Sequence, residues 1–415
     1  MNNNEFQIYR DGQKIGNFQS DELSSKFQSG EINANDHYWT IGMADWQPVR
    51  KLIESGIIQG PPPPPLQAQQ ENQNGDDFFS AFAGKVSQAS GLEKIEGFSI
   101  GALFSQTFKH HSPEEIEQHF SVGTAKTTPP LNEVLADWPT PWAFIRLLGM
   151  SIASSIAFYY AIARFASPML IPGWIFVGCF GIPFAVLVFF METNVLRNVS
   201  FYRLLSLMFS GGLLSLITSL FLYEYSNLSA WIGAMSAGFI EESGKLLAVI
   251  FLTRKWLNYG WTLNGLLFGA AVGTGFSAFE SAGYVFMALG EDKSIGSEGT
   301  MILRAFLSPF THTIWTAAAA AALWRIRLGK KFDWSMISEV QFLRVFAMSV
   351  GLHIVWNSPL RLPMIGETAG YFGLRLILGL IGWIVAFALI QTGIKEVRAA
   401  KSGLTTRIAQ NLEVQ

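Results

Sequence analysis

SAWIGAMSAGFIEESGKLLAVIFLT, residues 229–253, is apolar enough for a lipid bilayer, yet its middle carries Glu241, Glu242 and Lys245. One charged side chain at the centre of a membrane helix costs roughly 2.5–3.5 kcal/mol on the insertion scale. Three cost about 8–10 kcal/mol before any pairing, and no helix packing requires them. Ionisable groups at this depth are therefore read first as functional groups.

Working outward, the whole chain has the composition of a membrane protein. Half of its 415 residues are hydrophobic and only 14% are charged, against about 25% in soluble chains. A net charge of −2 leaves no basic footprint for nucleic acid. The single cysteine, Cys179, lies in an apolar stretch, which excludes a disulfide framework or a cysteine zinc site within one chain. The polar start, MNNNEFQIYRDG, has no apolar signal segment, so the N-terminus is expected to stay cytoplasmic.

Eight apolar segments are expected to be helices, at about 142–163, 169–190, 203–223, 229–253, 261–289, 300–324, 340–357 and 371–393. Each is near the ~20 residues that cross the hydrocarbon. Arg197, Arg254, Lys255, Arg325, Arg327, Lys330 and Lys331 fall in alternate loops. The tail adds Lys395, Arg398, Lys401 and Arg407. The opposite loops hold Arg164, Lys293 and Arg361, with Glu224, Glu291, Asp292 and Glu298. That bias puts both termini in the cytoplasm. The fold class expected is mainly α, a polytopic transmembrane helical bundle with a small α+β soluble domain at its N-terminus.

That soluble domain is expected over 5–56. Gln7–Tyr9 and Lys14–Phe18 read as a hairpin around Asp11-Gly12, followed by a helix from Ser20 as N-cap to Gly30 as stop. A Pro/Gln-rich linker follows over 57–75, with Pro61–Pro65 as a polyproline II run. Residues 76–140 form a polar cytoplasmic or interfacial segment. Within it Asp77–Ala89 is expected to be a helix, and Ser112-Pro113-Glu114-Glu115 a helix start. His110, His111 and His119 are read as solvated helix-end residues rather than metal ligands. The membrane domain covers 141–394 and a cytoplasmic tail 395–415.

Four consecutive apolar segments carry ionisable groups: Glu241, Glu242 and Lys245; Glu280; Arg304 and His312; His353 with Asn357. Glu241 and Glu242 are four and three residues from Lys245, so one can pair with it and leave the other available. Phe276 shares a face with Glu280, and His353 with Asn357. Gly269, Gly273 and Gly275 would let the fifth helix approach its neighbours closely. If the faces converge, three carboxylates, two imidazoles and an amide share a pocket at mid-depth to the outer half of the bilayer. A carboxylate in such a site can act as general base towards water, with His and Asn stabilising the oxyanion. Equally, His312, His353 and Glu280 are the ligand set of a catalytic zinc with one position left for water. Peptide-bond hydrolysis fits either chemistry. A proton-coupled transporter would also use buried Glu, His and Lys, but the two halves show no convincing inverted repeat. A non-catalytic membrane scaffold leaves the buried charge unexplained.

The pattern Glu241-Glu242-x-x-Lys245, Phe276-x-x-x-Glu280, Arg304…His312 and His353-x-x-x-Asn357 resembles the PrsW family of intramembrane proteases, over roughly residues 200–395. The related CAAX-processing enzymes carry histidine where this chain has Glu280. The resemblance implies a protease of the bacterial cytoplasmic membrane that cuts membrane-anchored protein substrates. The family's founding type cuts an anti-sigma factor on its extracytoplasmic side. Trp39, Gly42, Trp46 and Pro48 resemble the closing pattern of bacterial GYF-like domains, with Gly42 one place late. That resemblance implies a proline-rich peptide partner at Tyr38, Trp39 and Trp46. The competing reading makes both tryptophans core residues of a very small domain.

Overall fold

The computed structural model describes residues 5–10, 13–29, 31–33, 36–41, 43, 45–54, 57, 73–290, 296–363 and 366–403. The Asp11-Gly12 turn, Gly30, Gly42, Pro61–Pro65, Glu291, Asp292, Lys293 and Arg407 lie outside the described residues. The chain divides into two compact units, Met1–Phe78 and Phe79–Gln415.

The first unit is a four-stranded antiparallel sheet with two short helices. Its elements are β1 (Glu5–Arg10), β2 (Gln13–Gln19), α1 (Leu23–Gln28), β3 (His37–Thr40), β4 (Gln47–Pro48) and α2 (Arg50–Glu54), in sheet order β2-β1-β3-β4. Side chains alternate across a strand, so Phe6 and Ile8 of β1 enter the core, with Phe18, Leu23, Ile32, Val49 and Leu52. The α1 helix starts at Leu23 rather than at a Ser20 cap. Glu22 holds the N-cap position, and its carboxylate accepts the Gln19 amide at 2.9 Å. Neither tryptophan of this unit belongs to the buried core. Trp46 is 42% exposed and meets Tyr9 edge-on at 4.8 Å. Trp39 pairs with Gln7, on the β1 face opposite Phe6 and Ile8, and donates its indole N–H to the Met43 carbonyl at 2.8 Å. Tyr38 instead packs against Phe6 at the core.

One ion pair ties this unit together. Arg10 donates through Nε and Nη2 to both Asp36 oxygens, at 2.8 and 2.9 Å, and the Asn33 amide adds a bond at 2.7 Å. Burial pushes the Asp36 carboxyl up, but Arg10 and the Asn33 amide outweigh it and hold the carboxyl below the usual carboxylate range. A carboxyl depressed in the folded state stabilises above its unfolded value and loses that contribution as pH falls through the folded one. Arg10→Met should therefore cost about 1–2 kcal/mol at neutral pH, discounted for the 38% exposure of the Arg10 side chain. Hydrogen exchange of β1 and β3 peptides should show an acid-limb loss of protection in the parent that the variant lacks. An acid limb of equal size in both would refute the pair's role.

The second unit is helical. Its polar front part contains α3 (Gln73–Ala89), α4 (Ile100–Leu103) and α5 (Pro113–Phe120). Ser112 and Glu115 form a reciprocal capping box at the start of α5. The bundle follows as α6 (Ala143–Phe165), α7 (Ile171–Thr193), α8 (Phe201–Ser226), α9 (Leu228–Ile232), α10 (Ser236–Thr253) and α11 (Thr262–Leu289). It closes with α12 (Gly296–Leu307), α13 (His312–Arg327), α14 (Val340–Trp356) and α15 (Glu367–Lys401). Glu192 of α7 accepts the amides of Trp142, Ala143 and Phe144 at 2.8–2.9 Å, which fixes the start of α6. His119 Nε2 lies 3.0 Å from the same carboxylate, and His111 stacks on Trp142. Of the three front histidines only His110 is the exposed residue expected.

All eight apolar segments are helical. Among the described residues, five helices are long and apolar enough to cross a membrane, and α14 is a shorter apolar one. The fourth and sixth segments, expected as unbroken spans, are each interrupted. Gly233 takes a φ of +57° at a 3-10 turn between α9 and α10. Pro309, which has no amide hydrogen to continue a helix, sits in the 3-10 turn Ser308–Phe310 between α12 and α13. Both breaks fall beside the polar cluster.

The α11 helix is buried almost throughout and packs between α8 and α13. A Cβ on Gly275 would lie 1.8 Å from the Met208 carbonyl of α8, and one on Gly273 2.5 Å from the His312 carbonyl. These two glycines set how closely α8 and the start of α13 approach Glu280.

Candidate active site

The ionisable residues of α10–α14 converge. On α10, Glu241 and Glu242 are adjacent, so they leave the helix about 100° apart. Glu242 turns into the protein, where Lys245 Nζ donates to its Oε1 at 2.5 Å. His353 Nδ1, on α14, bonds the same oxygen at 2.9 Å. Lys245 also reaches His312 Nδ1 at 2.9 Å and lies over the Phe276 ring at 4.5 Å. Every one of these groups is buried.

Glu241 turns the other way, into a polar cavity of about 340 Å³. The Tyr223 hydroxyl donates to its Oε1 at 3.1 Å. Its Oε2 is buried, has no hydrogen-bond partner among the described residues, and faces His353 Nε2 at 3.8 Å and His312 Nδ1 at 4.0 Å. Glu280 lines the same cavity, with His312 Nε2 at 3.1 Å from its Oε2. Arg304 donates to that oxygen and, through Nε, to Ser281 Oγ at 3.0 Å. His312 opens α13 directly after the 3-10 turn, so the helix break sets its position. Asn357 lines the cavity outside the charge network, and its Nδ2 makes only a 3.5 Å contact with the Ala234 carbonyl. Glu242, Lys245 and Phe276 are not cavity-lining residues but stand behind the wall.

Glu241, His312 and His353 each offer a ligand atom, all within 4.8 Å of one another. With Glu242 on His353 Nδ1, the other ring nitrogen is turned towards Glu241, the orientation that a carboxylate behind a histidine gives to a metal ligand. The unpartnered Glu241 oxygen and two imidazoles fit a divalent ion. The carboxylate in that set is Glu241. Glu280, grouped with the histidines from the sequence, also meets one of them, His312 Nε2, at 3.1 Å, and Arg304 binds the same Glu280 oxygen.

Sequence reasoning missed Tyr223, Ser281, Trp315 and Arg375. Trp315 stacks on His353 at 4.6 Å between ring centroids. Arg375 on α15 is 1% exposed, and no carboxylate pairs with it among the described residues. Its guanidinium donates to the carbonyls of Trp356, Ser358 and Leu360 at 2.6–2.8 Å, just past the end of α14. It thereby fixes the helix end that carries His353 and Asn357. A charge inside an apolar segment was the signal that singled out Glu241, and it applies equally to Arg375.

Carboxylates and imidazoles gathered at one cavity inside an apolar bundle suit the chemistry of a membrane-embedded hydrolase. Residues 172–390 match the model for the PrsW family intramembrane metalloprotease, and residues 7–54 match GYF domain 2. The first match covers more than half of the chain, and the protein belongs to the PrsW family of intramembrane metalloproteases, with an N-terminal GYF-like domain. No curated protein and no solved structure matches the chain.

Arg375→Met should leave the carbonyls of Trp356, Ser358 and Leu360 at the end of α14 without their shared donor. The expected cost is about 1–3 kcal/mol, read as a lower thermal midpoint of the purified protein. An unchanged midpoint would show that the guanidinium is not what holds this turn.

Proposed function

We propose that this protein is an endopeptidase that cuts membrane-anchored proteins in the cavity between α10, α11, α13 and α14. The observation that carries the reading is the buried, unpartnered Glu241 Oε2, facing two imidazoles on a residue that lines that cavity. Glu241, His312 and His353 would hold a zinc ion. When bound, zinc supplies a water that ionises near neutral pH and a Lewis acid for the scissile carbonyl.

The chain's own residues do the rest. Glu242 orients His353 from behind through Nδ1, Lys245 and Glu280 fix the His312 ring through its two nitrogens, one of which zinc would take over, and Tyr223 fixes the Glu241 carboxylate. Glu280 is the cavity carboxylate outside the triad. It takes a proton from water as the water oxygen bonds to the carbonyl carbon. The Asn357 amide meets the resulting oxyanion. Glu280 then gives the proton to the departing nitrogen as the C–N bond breaks. Arg304 pins Glu280 against the wall throughout.

The Lys and Arg bias of the loops supports a multi-pass protein of the bacterial cytoplasmic membrane with both termini inside. In this reading 141–394 is the protease and 76–140 its cytoplasmic front segment. Residues 57–75 link it to the GYF-like domain, 5–56, and 395–415 is a cytoplasmic tail. GYF domains take proline-rich peptides on aromatic surfaces, and Tyr9, Trp39 and Trp46 are the aromatic set that supports such a partner. Tyr38, turned to the core, is not part of it.

Two variants separate the roles. Glu280→Gln should slow processing of single-span membrane proteins by about 10²–10⁴-fold while the purified protein keeps its bound metal. Glu241→Gln should lose metal and processing together. Unchanged processing by Glu280→Gln would remove it as the proton carrier, and full activity of metal-stripped protein would end the zinc reading.

A further inference from the structure

The α10 helix has a second face of interest, away from the catalytic cavity. A groove of about 810 Å³ runs between α8, α10 and the segment after α13. Its walls are apolar, with Leu214 of α8 and Leu247 and Phe251 of α10 among them. At the end of α10 the groove carries three cations, Arg254, Lys255 and Lys331, all exposed. No carboxylate lines it, and none of the three has an ion-pair partner among the described residues. Trp334, 63% exposed, stands at the same end. Tryptophan with Lys and Arg at the end of an apolar helix marks the headgroup level of a bilayer.

The groove is built rather than a chance crevice. Arg327 is buried and donates to the carbonyls of Thr253, Arg254 and Lys330, at 3.2, 3.3 and 2.9 Å. It thereby clamps the end of α10 to the turn that carries Lys331. The Arg254 guanidinium lies 4.0 Å over the Phe251 ring, where the apolar wall meets the charged rim.

We infer that this groove binds one anionic phospholipid, with its phosphate at Arg254, Lys255 and Lys331 and an acyl chain along the α8–α10 wall. Charge complementarity selects the headgroup, and the hydrocarbon wall selects a lipid over a soluble anion. Each cation near an anionic headgroup adds about 1 kcal/mol. Because α10 also carries Glu241, Glu242 and Lys245, the bound lipid would steady the catalytic helix from behind.

The test is lipid retention by the full-length purified protein, followed by native mass spectrometry during titration with phosphatidylglycerol or phosphatidylcholine. Phosphatidylglycerol should be retained in preference to phosphatidylcholine. Changing Arg254, Lys255 and Lys331 together to Gln should weaken that retention about 100-fold. Leu247→Trp, which fills the groove and keeps every charge, should weaken it as well. A control with Lys85, Lys109 and Lys126, all exposed and none lining the groove, changed to Gln removes the same charge and should retain the lipid. Equal loss in that control, equal retention of the two lipids, or displacement by inorganic phosphate at matched concentration would each overturn the assignment.

Discussion

A charge withdrawn from water must find a partner or it unfolds what surrounds it. In this protein the partner set is Lys245 against Glu242, with His353 on the same oxygen and His312 on the lysine. That four-membered knot joins α10, α13 and α14, and it dictates much else. The helices must approach closely enough for short side chains to meet, which is why α11 presents Gly273 and Gly275 to its neighbours. Two apolar segments must break so that His312 and Glu241 can face one space. By engaging Glu242, the knot also decides which of two adjacent glutamates remains open to the cavity.

Much of this was legible in the residues. Charges three and four apart in the fourth apolar segment, followed by ionisable groups in the next three, pointed to one converging cluster, and the side chains do meet. The reading could not distinguish Glu241 from Glu242, because that choice depends on which way α10 is rotated against α14. It set Glu280 with the histidines, and Glu280 does meet His312, but spacing carries no information about Arg304, which arrives from another helix and binds the same oxygen. Both helix breaks went unread for a simpler reason. Apolar content averages over a window, and a single Gly233 or Pro309 scarcely alters the mean while it changes the backbone.

The histidines of the front segment show the opposite error. Their position near helix ends suggested solvent, but His119 lies 3.0 Å from Glu192 and His111 stacks on Trp142, both partners distant in sequence. In the small N-terminal sheet, the hairpin read over Gln7–Tyr9 and Lys14–Phe18 is the antiparallel pair β1–β2. The pairing of Trp39 with Gln7 was not predictable without the register of β3. That register puts Trp39, half-buried, on the sheet face opposite Tyr38, which turns inward against Phe6.

Glu192 grips α6 at its first turn, yet the central stretch of that helix has no residue buried inside the protein. A rod bathed in lipid along its flanks answers to the thickness of the surrounding bilayer. Its 23 residues span about 35 Å, a few ångström more than the hydrocarbon layer. Thinner membranes would make it lean, pivoting on the pinned end. Lipid composition would thus register mechanically at the carboxylate that also holds His119.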